Sequence, residues 1–193
     1  MARRLFLSAG HSNLVGQKDV GASGVKGPDG KPFIEGVLAV EFVELLKAEL
    51  LNIGITPIVD KYSNILVETM ASFKPLVGKK DLAIEIHWNA GPPAATGVEV
   101  ILPGRAGLNE SSEYERIVSA RVADLYATTL GIKNRGAKAE KDTARKTLGW
   151  MRIPCENILI ETCFISNAQD MANYQAYKRT LAMKLASYLK TIL

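Results

Sequence analysis

The sequence contains few of the residues on which reactive sites most often depend, with two histidines and two cysteines among 193 residues. Cys155 and Cys163 are too few for a disulfide scaffold, and they do not form the CxxC pair of a sulfur-ligated zinc site. Cys163 follows a short apolar run, which favours a buried free thiol over a thiol nucleophile. A glycine-rich phosphate-binding loop and a serine in a nucleophile elbow are also missing. These absences argue against disulfide-stabilised domains, P-loop enzymes and elbow-type serine hydrolases.

Long apolar runs are missing as well. No stretch approaches the roughly 20 apolar residues of a membrane-spanning helix. The apolar run near the amino terminus, at 5–7, is shorter than the ~7–15 residues of a signal-peptide core. The sequence therefore predicts a protein made in the cytoplasm without a signal peptide and without membrane insertion. Its 47% hydrophobic and 23% charged residues are typical of a globular protein.

The charge balance is mildly basic, with a formal net charge of +4. The excess is spread along the chain, which favours an ordinary solvated surface over a nucleic-acid-binding patch. Residues 133–147 are the most basic segment, and they lack a clear periodicity. We interpret this segment as a surface facing a cleft or solvent, and nucleic acid is not among the predicted partners.

Apolar strands alternate with amphipathic helices along the chain, without an internal repeat or a linker. This order predicts a single α/β domain, with a twisted, mostly parallel sheet of about five or six strands and helices on both faces. A glycine-rich loop at 10–32 is expected to form one wall of a site, because long loops in compact domains are usually functional. The predicted strands are 5–10, 55–59, 82–87, 97–102, 148–153 and 157–161, and the predicted helices are 35–53, 63–76, 111–130 and 167–192.

Both histidines come at the end of a predicted strand. His11 lies just past the first strand, and His87 ends the strand at 82–87. The carboxyl ends of parallel strands meet at one edge of a sheet, so the two imidazoles are expected to share a site. Zinc hydrolases commonly use two histidines and one glutamate, leaving a further position for water. The pattern favours a metal site.

Two glutamates are the best candidates for carboxylates in this site. Glu35 begins the first long helix, where the glycine-rich loop returns to the sheet. Glu161 ends a buried apolar strand, where a carboxylate is costly to desolvate unless it serves a purpose. Structural alternatives remain open, since Glu35 could simply favour the amino end of a helix and Glu161 could pair with a basic residue.

Several motifs occur together in one order along nearly the whole chain. With them the sequence resembles the zinc-dependent N-acetylmuramoyl-L-alanine amidases of the amidase-3 type, which cut the amide bond between N-acetylmuramic acid and L-alanine in peptidoglycan. The motifs are SAGH at 8–11, DVGA at 19–22, Glu35, IHWNA at 86–90, GVEV at 97–100 and IETCFISN at 160–167.

The resemblance implies a role for five residues. His11, Glu35 and His87 would be the ligands of Zn²⁺. Glu161 would be the catalytic carboxylate, and Asn89 would bind substrate near the metal. Residues 1–193 would form the amidase catalytic domain, without a separate cell-wall-binding domain, and peptidoglycan would be its partner.

Three positions depart from the family pattern. Ser12 and Asn13 follow the first histidine, where glycine is usual, and Cys163 stands where a small residue is common. Glu85 occupies a position where serine is common, and strand alternation places it on the same face as His87. A role beside the histidine, a substrate contact and a neutral position on the sheet all remain open for Glu85.

Two other functions are compatible with the residues: a zinc peptidase cutting within the stem peptide, and a non-catalytic wall-binding module of the same fold. The setting is predicted as a phage endolysin that reaches the wall after release, or a bacterial autolysin or spore-related amidase exported by another route. In either setting the basic 133–147 segment is a candidate contact to anionic wall polymer. The oligomeric state is left open.

Overall fold

A computed structural model describes residues 2–12, 19–62, 65–105 and 109–193. In chain order the elements are β1 (Leu5–Ala9), β2 (Ser23–Lys26), β3 (Pro32–Ile34), α1 (Glu35–Asn52), β4 (Ile58–Val59), α2 (Leu66–Phe73), β5 (Leu82–Asn89), β6 (Val98–Leu102), β7 (Gly104–Arg105), β8 (Asn109–Glu110), α3 (Glu113–Leu130), β9 (Asn134–Ala139), the 3-10 helices Glu140–Asp142 and Gly149–Arg152, β10 (Glu156–Phe164) and α4 (Ala168–Ile192).

Six strands form the main sheet in the order β4-β1-β5-β10-β6-β9. Four of its five strand pairs are parallel, and the β10–β6 pair is antiparallel. The predicted mostly parallel α/β sheet is therefore confirmed. The order also places β5, which carries His87, between β1 and β10, so that the strands bearing or preceding the candidate site residues are neighbours.

Helices cover both faces of the sheet, as predicted. Leu5 and Leu7 belong to the larger core, which α1, α3 and α4 close. Phe6 points to the opposite face, where its ring lies 5.2 Å from that of Phe73 in α2. Trp150, in the second 3-10 helix, packs on Phe73 at 6.3 Å. Strand alternation divides the apolar side chains between these two cores.

Local signals place several helix ends. Ser112 and Glu115 form a capping box at the start of α3, and Gly131 ends the helix with a φ of 65°. The side chain of Asn167 accepts from two backbone N–H groups at the start of α4. The predicted start of the second helix, Ser63, lies outside the described residues.

Two parts of the second half differ from the prediction. The strand predicted at 148–153 is wrong, because Gly149–Arg152 is a 3-10 helix in which the Trp150 indole N–H donates to the carbonyl of Ile158 at 3.0 Å. Residues 134–139, which we interpreted as aperiodic surface, form the edge strand β9. Pairing with β6 supplies the backbone hydrogen bonds there, and its charged and glycine residues carry little strand signal.

Within the described residues, none of the helices is both long enough and apolar enough to cross a bilayer.

Candidate metal centre and active-site cleft

His11, Glu35 and His87 converge at the carboxyl edge of the sheet. His11 follows β1, His87 lies in the adjacent strand β5, and Glu35 is the first residue of α1. One ligand atom from each of the three lies within 4.8 Å of the others. In the part of the chain that the structure describes, no other group of three histidine, cysteine or acidic residues meets this condition.

Close backbone packing makes this convergence possible. A Cβ at Gly10 would lie 2.3 Å from the His87 ring, so the turn after β1 approaches the second histidine only without a side chain. Gly21 has a φ of 73°, and a Cβ there would lie 2.4 Å from Oε2 of Glu35. His11 itself has a φ of 54°, a region that residues other than glycine rarely adopt.

Each imidazole directs one nitrogen towards Glu35 and the other towards a further carboxylate. For His11, Nε2 lies 3.9 Å from Glu35 Oε1, while Nδ1 donates to Asp19 Oδ1 at 2.6 Å. For His87, Nδ1 donates to Glu35 Oε1 at 2.9 Å, and Nε2 lies 3.0 Å from Glu85 Oε2. A carboxylate on the outer ring nitrogen is the usual way in which proteins orient metal-binding histidines.

Glu35 is held in place from several sides and is 4% exposed. Its Oε2 accepts from the backbone N–H of Ala22 at 2.8 Å, and its Oε1 accepts from that of Trp88 at 3.1 Å. Burial alone would raise the pKa of Glu35, but the His87 hydrogen bond and the charges of both histidines lower it below its usual value. The residue is therefore an anionic centre between the histidines.

The arrangement fits a zinc ion. Three donors on one tetrahedral zinc lie about 3.4 Å apart, given bond lengths of about 2.1 Å. The two histidine-to-Glu35 separations of 2.9 and 3.9 Å bracket that value. Although burial lowers the pKa of His87, the carboxylates of Glu85 and Glu35 raise it well above its usual value. Surroundings that stabilise a proton in this way would also stabilise a cation.

Glu161 lies beside this group on the next strand. In the β10–β5 pair it is in register with His87. Its Oε2 is buried and makes no hydrogen bond to any described residue. Burial, together with the nearby Glu35 and Glu99 carboxylates, raises the pKa of Glu161 to about 7 despite the opposing charge of His87. Such a carboxyl group can exchange a proton near neutral pH.

The comparisons with known proteins assign the chain to a family. Residues 5–190 match the family model described as N-acetylmuramoyl-L-alanine amidase, of the amidase-3 type. The chain belongs to this family. It is a hydrolase that acts on the amide bond between the muramoyl group and L-alanine in peptidoglycan. None of the curated protein sequences matches the chain.

Solved structures share the fold of the amidase at low sequence identity. Cwp6 from Clostridium difficile is 20% identical with a TM-score of 0.77, and the match covers 100% of this chain and 30% of that one. The catalytic domain of the CD27L endolysin, which targets Clostridia difficile, is 23% identical with a TM-score of 0.68, covering 96% and 94%. The CwlV catalytic domain from Bacillus (Paenibacillus) polymyxa is 16% identical with a TM-score of 0.71, covering 97% and 98%.

The candidate site of the amidase opens into a cleft of about 850 Å³. The five residues to which the sequence assigned a role all line it: His11, Glu35, His87, Asn89 and Glu161. The Asn89 amide N–H donates to Glu99 Oε1 at 3.0 Å, which leaves its carbonyl oxygen for other partners. Its contact with substrate remains a prediction.

Cys163 does not take part in this cleft. It is 0% exposed in the larger core, and its Sγ lies 3.9 Å from Sδ of Met171. Burial raises the pKa of the thiol well above its usual value. The structure therefore agrees with the interpretation of Cys163 as an inert buried thiol.

Several charged residues of the cleft could not be assigned a role from the sequence. Asp19 occurs in a quoted motif but had no assigned role, although its carboxylate orients His11. Glu99 likewise lies within a quoted motif, and Arg135 and Lys138 lie in the segment interpreted as surface; all three line the cleft. For Arg135 and Lys138, the only sign in the sequence was the basic composition of the 133–147 segment.

Proposed function

We propose that the amidase is zinc-dependent, and that residues 1–193 form its catalytic domain. His11, Glu35 and His87 would hold Zn²⁺, Glu161 would act as general base and then as general acid, and Asn89 would contact substrate. The observation that supports this proposal is the convergence of two imidazoles and one carboxylate beside the Glu161 carboxyl group, whose Oε2 has no hydrogen-bond partner among the described residues.

The metal and the chain would divide the chemistry between them. When bound, zinc supplies Lewis-acid chemistry, lowering the pKa of a water molecule and polarising a carbonyl oxygen. Asp19 orients the His11 ring through a hydrogen bond to Nδ1, and the Glu85 carboxylate lies 3.0 Å from Nε2 of His87, where it can hold that ring by its charge. Glu161, which lines the cleft, accepts a proton from the attacking water and then delivers it to the amine nitrogen of the departing L-alanine.

Zinc dependence is tested with metal-free protein on isolated cell walls. We expect chelator-treated protein to release no amino termini of L-alanine, and one equivalent of zinc to restore their release. Persistent activity after complete removal of the metal would contradict the proposal. Release of peptides that leaves L-alanine on the glycan would indicate the peptidase alternative, and wall binding without release would indicate a non-catalytic module.

Glu85 should strengthen zinc binding by orienting His87. It is 5% exposed, and its Oε2 lies 3.0 Å from Nε2 of His87. Loss of such an outer carboxylate typically costs about 10–100-fold in metal affinity. We therefore expect Glu85→Gln to bind zinc about 10–100-fold more weakly, as measured by competition with a chromophoric chelator.

Glu99→Gln is the matched control for this measurement. It also removes one buried negative charge, but Glu99 contacts Asn89, Arg135 and Lys138 rather than a histidine. Its zinc affinity should stay close to that of the wild type. Equal losses in the two variants would mean that overall charge, and not the contact to His87, decides the affinity.

We further propose that the protein acts at the wall as a phage endolysin or a bacterial autolysin. Support for the first setting is the fold shared with the CD27L endolysin domain. Mass spectrometry of the protein recovered from its native host would distinguish a chain released by lysis from one processed during export.

A further inference from the structure

Three charged side chains form a cluster on the cleft wall away from the histidines. Glu99 of β6 accepts from Arg135 Nε at 2.6 Å and from Lys138 Nζ at 2.6 Å. The Glu99 side chain is 11% exposed, whereas those of Arg135 and Lys138 are 29% and 32% exposed. Arg135 and Lys138, here called the β9 cation pair, therefore cover the carboxylate and face the cleft.

An irregularity in β9 brings both cations to the same side of the sheet. Arg135 and Lys138 are three residues apart, so regular alternation would place them on opposite faces. The register between β6 and β9 shifts between Val98 and Val100, and Gly136 has a φ of 80°. An inserted residue of this kind reverses the alternation and re-aims the following side chains.

The cluster carries more cationic donors than Glu99 uses. Arg135 donates to Glu99 through Nε and lies over the Phe164 ring, 5.0 Å from its centre. Among the described residues, its Nη groups make no hydrogen bond and Lys138 makes only the one to Glu99. One positive charge remains in excess, with at least two donors per side chain available to a further acceptor.

The position of the pair relative to Glu161 indicates which part of the substrate it would meet. Glu161 is in register with Glu99 across β10 and β6, and β9 is the next strand. Two strand spacings separate β10 from β9 by about 10 Å. An extended peptide of about three residues covers that distance, and the inward reach of the long cationic side chains shortens it.

The proposed mechanism places the stem peptide on this side of the cleft. Glu161 donates its proton to the amine of L-alanine, so the peptide that leaves with that amine must begin next to Glu161. The residue after L-alanine in peptidoglycan stems is D-glutamate, whose α-carboxyl group is either free or amidated. We propose that Arg135 and Lys138 bind this free carboxylate, so that the amidase prefers stems with a free acid over amidated stems. This inference rests on the proposed function.

The experiment compares two forms of one wall preparation. Walls with free stem carboxylates are stripped of anionic polymers, and half of the sample is amidated with carbodiimide and ammonium. Release of L-alanine amino termini is measured for the wild type, Lys138→Gln, Arg135→Gln and the matched control Lys133→Gln. Lys133 is an exposed cation in the same segment that does not line the cleft.

We expect the wild type to act about tenfold more efficiently on untreated than on amidated walls, because a charge-assisted contact is lost on amidation. In Lys138→Gln and Arg135→Gln this ratio should fall towards one, because the rate on untreated walls decreases while the rate on amidated walls stays the same. Lys133→Gln should keep the ratio of the wild type. Lys138→Gln keeps the Arg135–Glu99 ion pair, which guards against misfolding as the cause.

Three results would overturn the inference. If the wild type cleaves both walls equally, the cleft does not recognise the free carboxylate of D-glutamate. If the variants lose activity on both walls in the same proportion, the pair serves only to neutralise Glu99. If the wild type releases no L-alanine amino termini from either wall, the proposed function fails and the inference fails with it, a result clearly distinct from the first two.

Discussion

Glu161→Gln is expected to lower kcat by about 10²–10⁴-fold, the range that a positioned general acid–base contributes. The substitution keeps the shape of the side chain and removes its ability to accept a proton together with its negative charge. Oε2 of Glu161 has no hydrogen-bond partner among the described residues, so no internal contact is lost there. The measurement is the rate of release of L-alanine amino termini from walls, with the zinc content determined on the same samples.

The same substitution should increase the free energy of unfolding of the metal-free protein, although it lowers the activity. The fold raises the pKa of Glu161 from 4.5 to about 7, so folding favours the protonated form. Its contribution to the free energy of unfolding therefore decreases as the pH rises from about 4.5 to 7. Glu161→Gln cannot ionise at this position, so it does not lose stability as the pH rises. We expect the variant to be more stable than the wild type at pH 8 and about as stable as the wild type at pH 4. Thermal unfolding with chelator present tests this.

Opposite changes in activity and stability separate a catalytic residue from a structural one. Glu156→Gln is a matched control, because Glu156 lies on the same strand, outside the cleft, where it accepts from the Ser112 hydroxyl. It should keep full activity. A Glu161→Gln protein that loses both activity and stability would show that the carboxylate supports the fold instead.

Replacing either histidine should abolish zinc binding. Wild-type protein is expected to hold about one zinc per chain, and His87→Ala and His11→Ala less than about a tenth of that, because two protein ligands are too few for a tight site. Elemental analysis after dialysis gives the ratio. His11→Ala guards against misfolding, since the His11 side chain is 19% exposed and contacts Asp19 at the surface.

Asn89→Ala is the control for the loss of metal. Asn89 lies two residues after His87 in the same strand and lines the same cleft, but its amide donates to Glu99. This variant should keep its zinc. Full zinc content in either histidine variant would contradict the assigned ligands, whereas loss of zinc in Asn89→Ala would mean that the whole edge of the sheet had been disturbed.

The main architecture could be predicted because its signals are local. The alternation of buried strands with amphipathic helices extends over nearly the whole chain, and caps such as Ser112 and Asn167 mark helix starts by their own hydrogen bonds. For the segments without such signals, the predicted secondary structure was wrong. Trp150 lies in a 3-10 helix because its indole packs in the core, and β9 exists because β6 offers it an edge.

The candidate site was predictable to a similar degree. The four residues that converge here could be identified from the sequence. The only two histidines lie at the ends of predicted strands, Glu35 begins a helix, Glu161 ends a predicted buried strand where a carboxylate is costly to desolvate, and the family motifs include all four. The alternation rule also placed Glu85 on the face of His87, and the two side chains are indeed 3.0 Å apart. Nothing local indicated that Arg135 and Lys138 face the same cleft, because that depends on an irregularity at Gly136.

By itself, the sequence determined the class of fold, the family and the chemical types gathered at the sheet edge, because periodicity and motifs are carried by neighbouring residues. Tertiary structure alone decided which nitrogen of each histidine faces Glu35, which carboxylates lie behind the rings, and which cations share a face with Glu161. These are distances between residues far apart in the chain, and only the packing of strands and helices sets them.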